Sequence, residues 1–399
     1  MKSSAIALGS IVLLAASCAP SPKESSPVVK ITNPSSMERS EVLSLELPEG
    51  VDGNEVILGD KVIPSEFVDL DNDGVNDEVN LFVELEPSSS KELVIRTVES
   101  PIETDKLTQA EISIKQGGEW TDEEYVGGEF VNLDFLKVPD QHTDHTYFIR
   151  YEGPGWESDK MGYRFYLDWR NGMDVFGKTK TEPVLQGVGQ DGFDSYHELS
   201  DWGLDLLKVG TTLGLGSIGQ FRNDTLFRFK ETDSVTCAIA TNGLLESEIV
   251  TNYYGWKDGG KATDLTSSIS IQAGSALTTH ELQFSTPIEG FCTGVVENEG
   301  EDYLDEVVGD YRVFATYGDF SLNNDKMGLA IIVENSSIQD VVSGAGSHVV
   351  LFNPEKEVTY YFMAVWQKGT NPISSMAAFK LLLLKEATKL NQPLKIEVQ

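Results

Sequence analysis

Short β-branched and aromatic runs, each closed by glycine, proline, asparagine or serine, succeed one another from residue 28 to residue 367. Runs this short do not make helices; they demand sheets stacked over a shared core. Over 28–100 the runs VVKITNPSS, EVLSLELP, NEVILGDKVIPSEFVD, DEVNLFVELE and KELVIRTVE predict a small sandwich of immunoglobulin-like proportions. Residues 101–125 read as a polar connector. Beyond it the pattern resumes with TYFIRY, YRFYLDWR, ESEIVTNYYGW, LTSSISIQA, YRVFATYG and VTYYFMAVWQ, which predicts a large two-sheet sandwich and not a barrel of strand–helix units. Helix signals are confined to 201–208, with Asp201 as its cap, and to 374–390, opened by Ser374 and Ser375. The expected fold class is mainly β: a small N-terminal β-sandwich over 28–100, then a larger one over 101–399 that ends in a helix.

The first eighteen residues read as a lipoprotein signal peptide. Lys2 supplies the positive start, Ile6 to Ala16 is apolar but too short to span a bilayer, and Ala15-Ala16-Ser17-Cys18 has the form of a lipobox. Cleavage before Cys18 and lipidation of its sulfur would leave 19–27, APSPKESSP, as a flexible linker. The expected location is the periplasm or outer membrane, with membrane contact only through a lipid anchor at Cys18. Acidic residues number 64 against 30 basic ones, a formal charge of −34. Nucleic acid is therefore excluded as a partner, because phosphate binding needs a basic footprint. Cys237 and Cys292 fit no zinc spacing, and either one disulfide or two buried thiols would suit them.

Against that acidic background, residues 145–180 are locally balanced, with Arg150, Lys160, Arg164, Arg170, Lys178 and Lys180 set among the carboxylates. An anionic ligand could be held there, since salt screens distant charges beyond about 8 Å. Within the stretch, Gly162 to Arg170 alternates. Tyr163, Phe165, Leu167 and Trp169 fall on one face of a strand, Arg164, Tyr166, Asp168 and Arg170 on the other. Arginines interleaved with tyrosine and aspartate describe the floor of a polar cleft; an outer face laced by ion pairs is the plainer alternative. His142, His145 and His197 could serve as acid–base groups or as zinc ligands. His280 sits in an ordinary alternating strand and reads as structural, and His348 is ambiguous. Among the tryptophans, Trp156 follows a Gly-Pro-Gly turn and is expected to be exposed, whereas Trp169 is expected to be buried.

Two further motifs are less telling. Asp69, Asp71, Asp73 and Asp77, with Gly74 between them, alternate as a calcium loop requires, although Asn80 stands where an EF-hand needs glutamate. Any metal there would be structural; the same letters also describe a metal-free turn. Gly214 to Gly219 matches the dinucleotide fingerprint in letters, but no strand–helix–strand unit surrounds it, so close packing is the expected role of its glycines.

YEGPGWESD (151–159), GYRFYLDWRN (162–171), DVFGK (174–178), SDWGLDLLKVG (200–210) and FMAVWQKG (362–369) together resemble a bacterial domain-of-unknown-function family, number 4861 in its series. The resemblance implies a secreted or lipid-anchored protein of polysaccharide-degrading loci, with a galactose-mutarotase-like supersandwich and an architecture like that of polysaccharide lyases. It also implies dehydration of uronic-acid-containing oligosaccharides, and it carries no residue roles. Taken with the residues themselves, the leading expectation is β-elimination on a terminal uronate. A base would remove the proton at C5, an acid would assist departure at C4, and a cation would neutralise the carboxylate. Arg164 is the expected neutralising group with Arg170 in reserve, His145 and His197 the proton-transfer pair, and Tyr166 an alternative base or acid. Trp156, Trp202, Lys178 and Arg170 would position the saccharide. No cofactor is required for this chemistry. A polysaccharide lyase, a glycoside hydrolase using Glu152, Glu157 or Asp168, and a non-catalytic glycan binder are the alternatives.

Overall fold

The computed structural model describes residues 29–398 apart from 48–50, 52, 72, 193–194, 229 and 259–260. The signal segment, Cys18 and the 19–27 linker lie outside the described residues. The chain is mainly β, with several sheets and one α-helix near the C-terminus. Among the described residues no helix is long and apolar enough to cross a membrane.

The small unit packs two antiparallel sheets over its own core of Val29, Ile31, Val56, Val79, Leu81, Val83 and Leu93. One sheet takes its edge from the far end of the chain: Lys395–Val398 pairs with Val29–Thr32. The larger unit is built on a nine-stranded antiparallel sheet running from Phe135–Lys137 through Ser234–Asn242 to Asp302–Val308. Two five-stranded sheets share a continuous core with it. Trp156 and Tyr163 from one of them meet Phe362 of the large sheet, and Phe352 from the other meets Tyr360. The helix Met376–Asn391 lies on the far side, capped by Ser375 Oγ, which accepts from the Ala378 amide, and it buries Phe379, Leu383 and Ala387.

Three local expectations are corrected. The polar connector contains the strands Thr108–Glu111 and Ser113–Trp120. Two of its polar residues, Gln109 and Glu111, are buried, which charged and amide groups tolerate only when partners meet them. The expected 201–208 helix is instead the strand Gly203–Asp205 and the loop after it. The alternating strand stops at Phe165, since the chain turns back when Tyr166 N–H donates to Gly172 O and Asn171 N–H to Asp168 O. Trp169 rides on that turn and is 45% exposed, not buried. The Gly214–Gly219 segment acts as a packing element: Gly216 lies against the Phe362 ring, where a side chain would not fit.

Candidate active site

The five-stranded sheet of Thr108–Glu111, Gly155–Ser158, Gly162–Phe165, Met173–Lys178 and Gly203–Asp205 keeps its apolar face on the core. Its other face carries charge. Glu111, Gly155, Arg164 and Asp174 stand in register across four strands, so the alternation of 162–165 places Arg164 opposite Tyr163 and Phe165. Segments 145–152, 184–192 and 195–197 cover this row. Each is tied to it by buried ions.

Arg164 is the hub. Its guanidinium donates to Asp174 Oδ2 (2.9 Å), Asp205 Oδ2 (2.9 Å), Tyr196 Oη (3.0 Å), Tyr166 Oη (3.3 Å) and the Tyr151 carbonyl (3.1 Å). Tyr166 Oη donates to Asp174 Oδ2 at 2.7 Å. Burial pushes the Tyr166 phenol well above its ordinary range, and the Asp174 and Asp205 carboxylates push it further. It is therefore no base at neutral pH. Burial and neighbouring Asp174 drive Asp205 well above the usual carboxyl range, against the opposing pull of the Arg164 charge. His197 lies 3.5 Å from Asp205 Oδ2 and keeps about a third of its side chain exposed. The Tyr196 ring, 4.6 Å from that imidazole, has its phenol raised to about 12, chiefly by burial.

A second ion group adjoins the first. The Arg170 guanidinium lies 4.1 Å over the Tyr166 ring, grips Asp168, and reaches Glu152 Oε1 (2.8 Å) and Asp144 Oδ1 (2.6 Å). Asp144 Oδ1 is also 2.5 Å from His145 Nδ1, and the His145 amide donates to Glu152 Oε1 at 3.0 Å. Burial raises Glu152, but the Arg170 and Arg164 charges outweigh it and leave the carboxyl below its usual range. A continuous chain of contacts thus runs from His197 through Asp205, Arg164, Tyr166 and Arg170 to Asp144 and His145. The two imidazoles are its partly exposed ends, and guanidinium, phenol and carboxyl groups make up its buried middle.

The backbone that carries the His145 end is strained. His145, Tyr147, Tyr151 and Glu152 have φ of 59°, 55°, 37° and 70°, the left-handed region that costs a residue with a side chain about 1–3 kcal/mol. The neighbours hold it there. The hairpin Ser113–Trp120/Tyr125–Asn132 bonds to the segment at Thr146 O and Phe148 O, and Arg150 pairs with Glu111 and donates to three carbonyls of 185–188. Gly153 lets the chain pass so close to the Phe165 carbonyl that a Cβ would lie 1.8 Å from that oxygen.

Several expected site residues are elsewhere. Trp156 is fully buried, its Nε1–H on Thr278 Oγ1 and its ring stacked on Tyr163, because Gly155–Ser158 is a strand facing the core and not an exposed turn. Lys178 is equally inaccessible and pairs with Glu157 at 2.5 Å, so neither can touch a saccharide. Trp202 is half-buried, edge-on to Phe176, at the margin of the cover. Arg164 and Arg170 already spend their donors on protein groups; Arg164 is sealed, whereas the Arg170 side chain keeps some exposure, and its partner Asp144 is partly exposed with the oxygen facing Arg170 buried. His142 is buried with Nδ1 at 3.0 Å from Thr146 Oγ1, and burial holds it below the usual histidine range. His280 is buried on Ser267, and His348 pairs with Glu301. Cys237 and Cys292 are separate buried thiols. Asp144, Asp174, Tyr196 and Asp205 were not foreseen. Asp174 was within reach, since it lies opposite Arg164 once 162–178 is folded as a hairpin.

Among the described residues, no ligand set unites His142, His145 and His197. Asp144, His145 and Glu152 approach one another closely enough for a metal, and the Arg170 cation bridges the two carboxylates. In the acidic loop Asp69, Asp71 and Asp77 can each offer one oxygen within 4.8 Å of the others. Asp73 stays out of that set and accepts the Val75 amide.

The family model for domain of unknown function DUF4861 matches residues 31–396. The chain belongs to the DUF4861 family. The uncharacterized protein P7 of Formosa agariphila is 20% identical over 370 residues, covering 85% of this chain and 82% of that one. Among solved structures, a protein in the glycosyl hydrolase family 38 from Enterococcus faecalis aligns with a TM-score of 0.49 at 10% identity, and an alpha-mannosidase from Enterococcus faecalis V583 with 0.44 at 10%. Both alignments cover 94% of this DUF4861 chain, which spans only 47% and 46% of those proteins. Likenesses this remote say nothing about activity.

Proposed function

We propose that this DUF4861 protein is a carbohydrate-active enzyme that eliminates across C4 and C5 of a terminal uronate in an oligosaccharide. The observation that supports it is the pair of partly exposed imidazoles, His145 and His197, at opposite ends of one buried chain of charged groups. His197, beside Asp205, takes the C5 proton. The electron pair of that C–H bond forms C4=C5 as the C4–O bond breaks. His145, paired with Asp144, donates a proton to the departing oxygen, which leaves as water, or as a sugar alcohol if a glycosidic bond is cut. Neutralisation of the uronate carboxylate falls to Arg170, the guanidinium of the group that keeps some exposure. Arg164 positions Tyr166, Tyr196 and Asp205 and does not touch the sugar. A glycoside hydrolase is the weaker reading, because Glu157 is locked to Lys178 and Asp168 to Arg170.

Incubation with a panel of uronate-containing oligosaccharides, followed by mass spectrometry, tests the proposal. Loss of one water identifies a dehydratase, and chain shortening with an unsaturated end identifies a lyase. Saturated fragments, or no product with any substrate, would refute elimination.

A further inference from the structure

Against the Tyr166–Asn171 turn, which lends it Leu167, Asp168, Trp169 and Asn171, lies a hollow of about 330 Å³, at the lower end of the size of small-molecule sites. His142 and Asn171 line its floor, the latter fixed by its amide on Tyr253 Oη at 2.9 Å. Trp169 stands at its mouth, 45% exposed, with Lys230 Nζ 5.6 Å from the ring centroid. Asp140 and Asp233 complete the rim, both exposed.

We propose that this hollow is a subsite for a neutral pyranose unit. An open indole beside hydrogen-bonding groups of both signs is what a sugar ring requires: its C–H face packs on the indole while its hydroxyls donate to Asp140 and Asp233 and accept from Lys230 and Asn171. The lining carries no surplus positive charge to fix a uronate: Asp168 is held by Arg170 and Asp233 by Lys257, which leaves Asp140 against Lys230, and burial holds His142 below the usual histidine range. The turn that carries Trp169 also carries Tyr166 and Arg170, so an oligosaccharide of mixed composition could set its acidic unit in the active site and a neutral one here. The inference rests on the carbohydrate part of the proposed function and not on the elimination.

Calorimetric titration with neutral gluco-, galacto-, manno- and xylo-tetraoses, and with an oligouronide as the acidic comparison, tests it. At least one neutral sugar should bind, Trp169→Ala should weaken that binding roughly tenfold or more, and Trp169→Phe should keep most of it. Asp140→Ala, at an exposed position, should weaken it independently of the indole. His197→Ala should bind the neutral sugar as the wild type does, whether or not the wild type proves to catalyse elimination. No binding of any neutral sugar, binding that survives both Trp169→Ala and Asp140→Ala, or an oligouronide bound more tightly through Trp169 would overturn the proposal.

Discussion

Replacing Lys178 by methionine should unfold this protein more readily than almost any other single exchange near the site. Lys178 Nζ sits 2.5 Å from Glu157 Oε2 and 2.6 Å from Ser158 O, and neither charged side chain has any exposure. Methionine keeps the apolar stem and removes only the charge, so packing is nearly unchanged. What remains is a buried carboxylate whose other partners are the Val184 amide, at 2.9 and 3.0 Å, and the Leu185 amide at 2.8 Å. Orphaning one member of a buried pair costs about 3–5 kcal/mol, a fifth or more of the ~5–15 kcal/mol that holds a typical domain folded. Urea unfolding followed by tryptophan fluorescence should show a lower midpoint at an unchanged slope. Adding Glu157→Gln should recover part of the loss, because the uncompensated charge is then gone. Hydrogen exchange at 184–185 should accelerate in the single variant, since Glu157 anchors the segment that leads to Tyr196 and His197. A loss below about 1 kcal/mol, or a double variant no better than the single one, would refute this account of the pair.

Three other outcomes are expected. His197→Ala and His145→Ala should each lower turnover of a uronate substrate by roughly 10²–10⁴-fold with melting temperature unchanged, read by mass spectrometry of the products. Burial depresses His280 to about 3 in the folded chain. Between that value and the ordinary pKa near 6.5 the unfolded chain binds the extra proton, so stability falls as pH drops through this window. His280→Gln should flatten the decline, and an unchanged pH profile of the urea midpoint would contradict it. Calcium should raise the melting temperature of the small unit through Asp69, Asp71 and Asp77, and Asp71→Ala should abolish the rise; no response to calcium leaves the loop a metal-free turn.

Periodicity and chemical type were legible before any coordinates: the β class, the strand that puts Arg164 opposite Tyr163 and Phe165, and the helix that Ser375 caps all follow from local pattern. These depend on neighbours within a few residues, and alternation reports which faces differ. Pattern could not say which face meets water. Trp156 and Lys178 looked available because glycine and charge are common at surfaces, yet one lies between stacked sheets and the other beneath a covering loop. Nor could it pair ions. Glu111 finds Arg150, and Arg164 finds Asp205, across distances in sequence that only the sheet order closes. A buried charge is tolerable only where its counter-charge arrives, so the folded arrangement of strands decided which acidic and basic groups became a site and which became a brace.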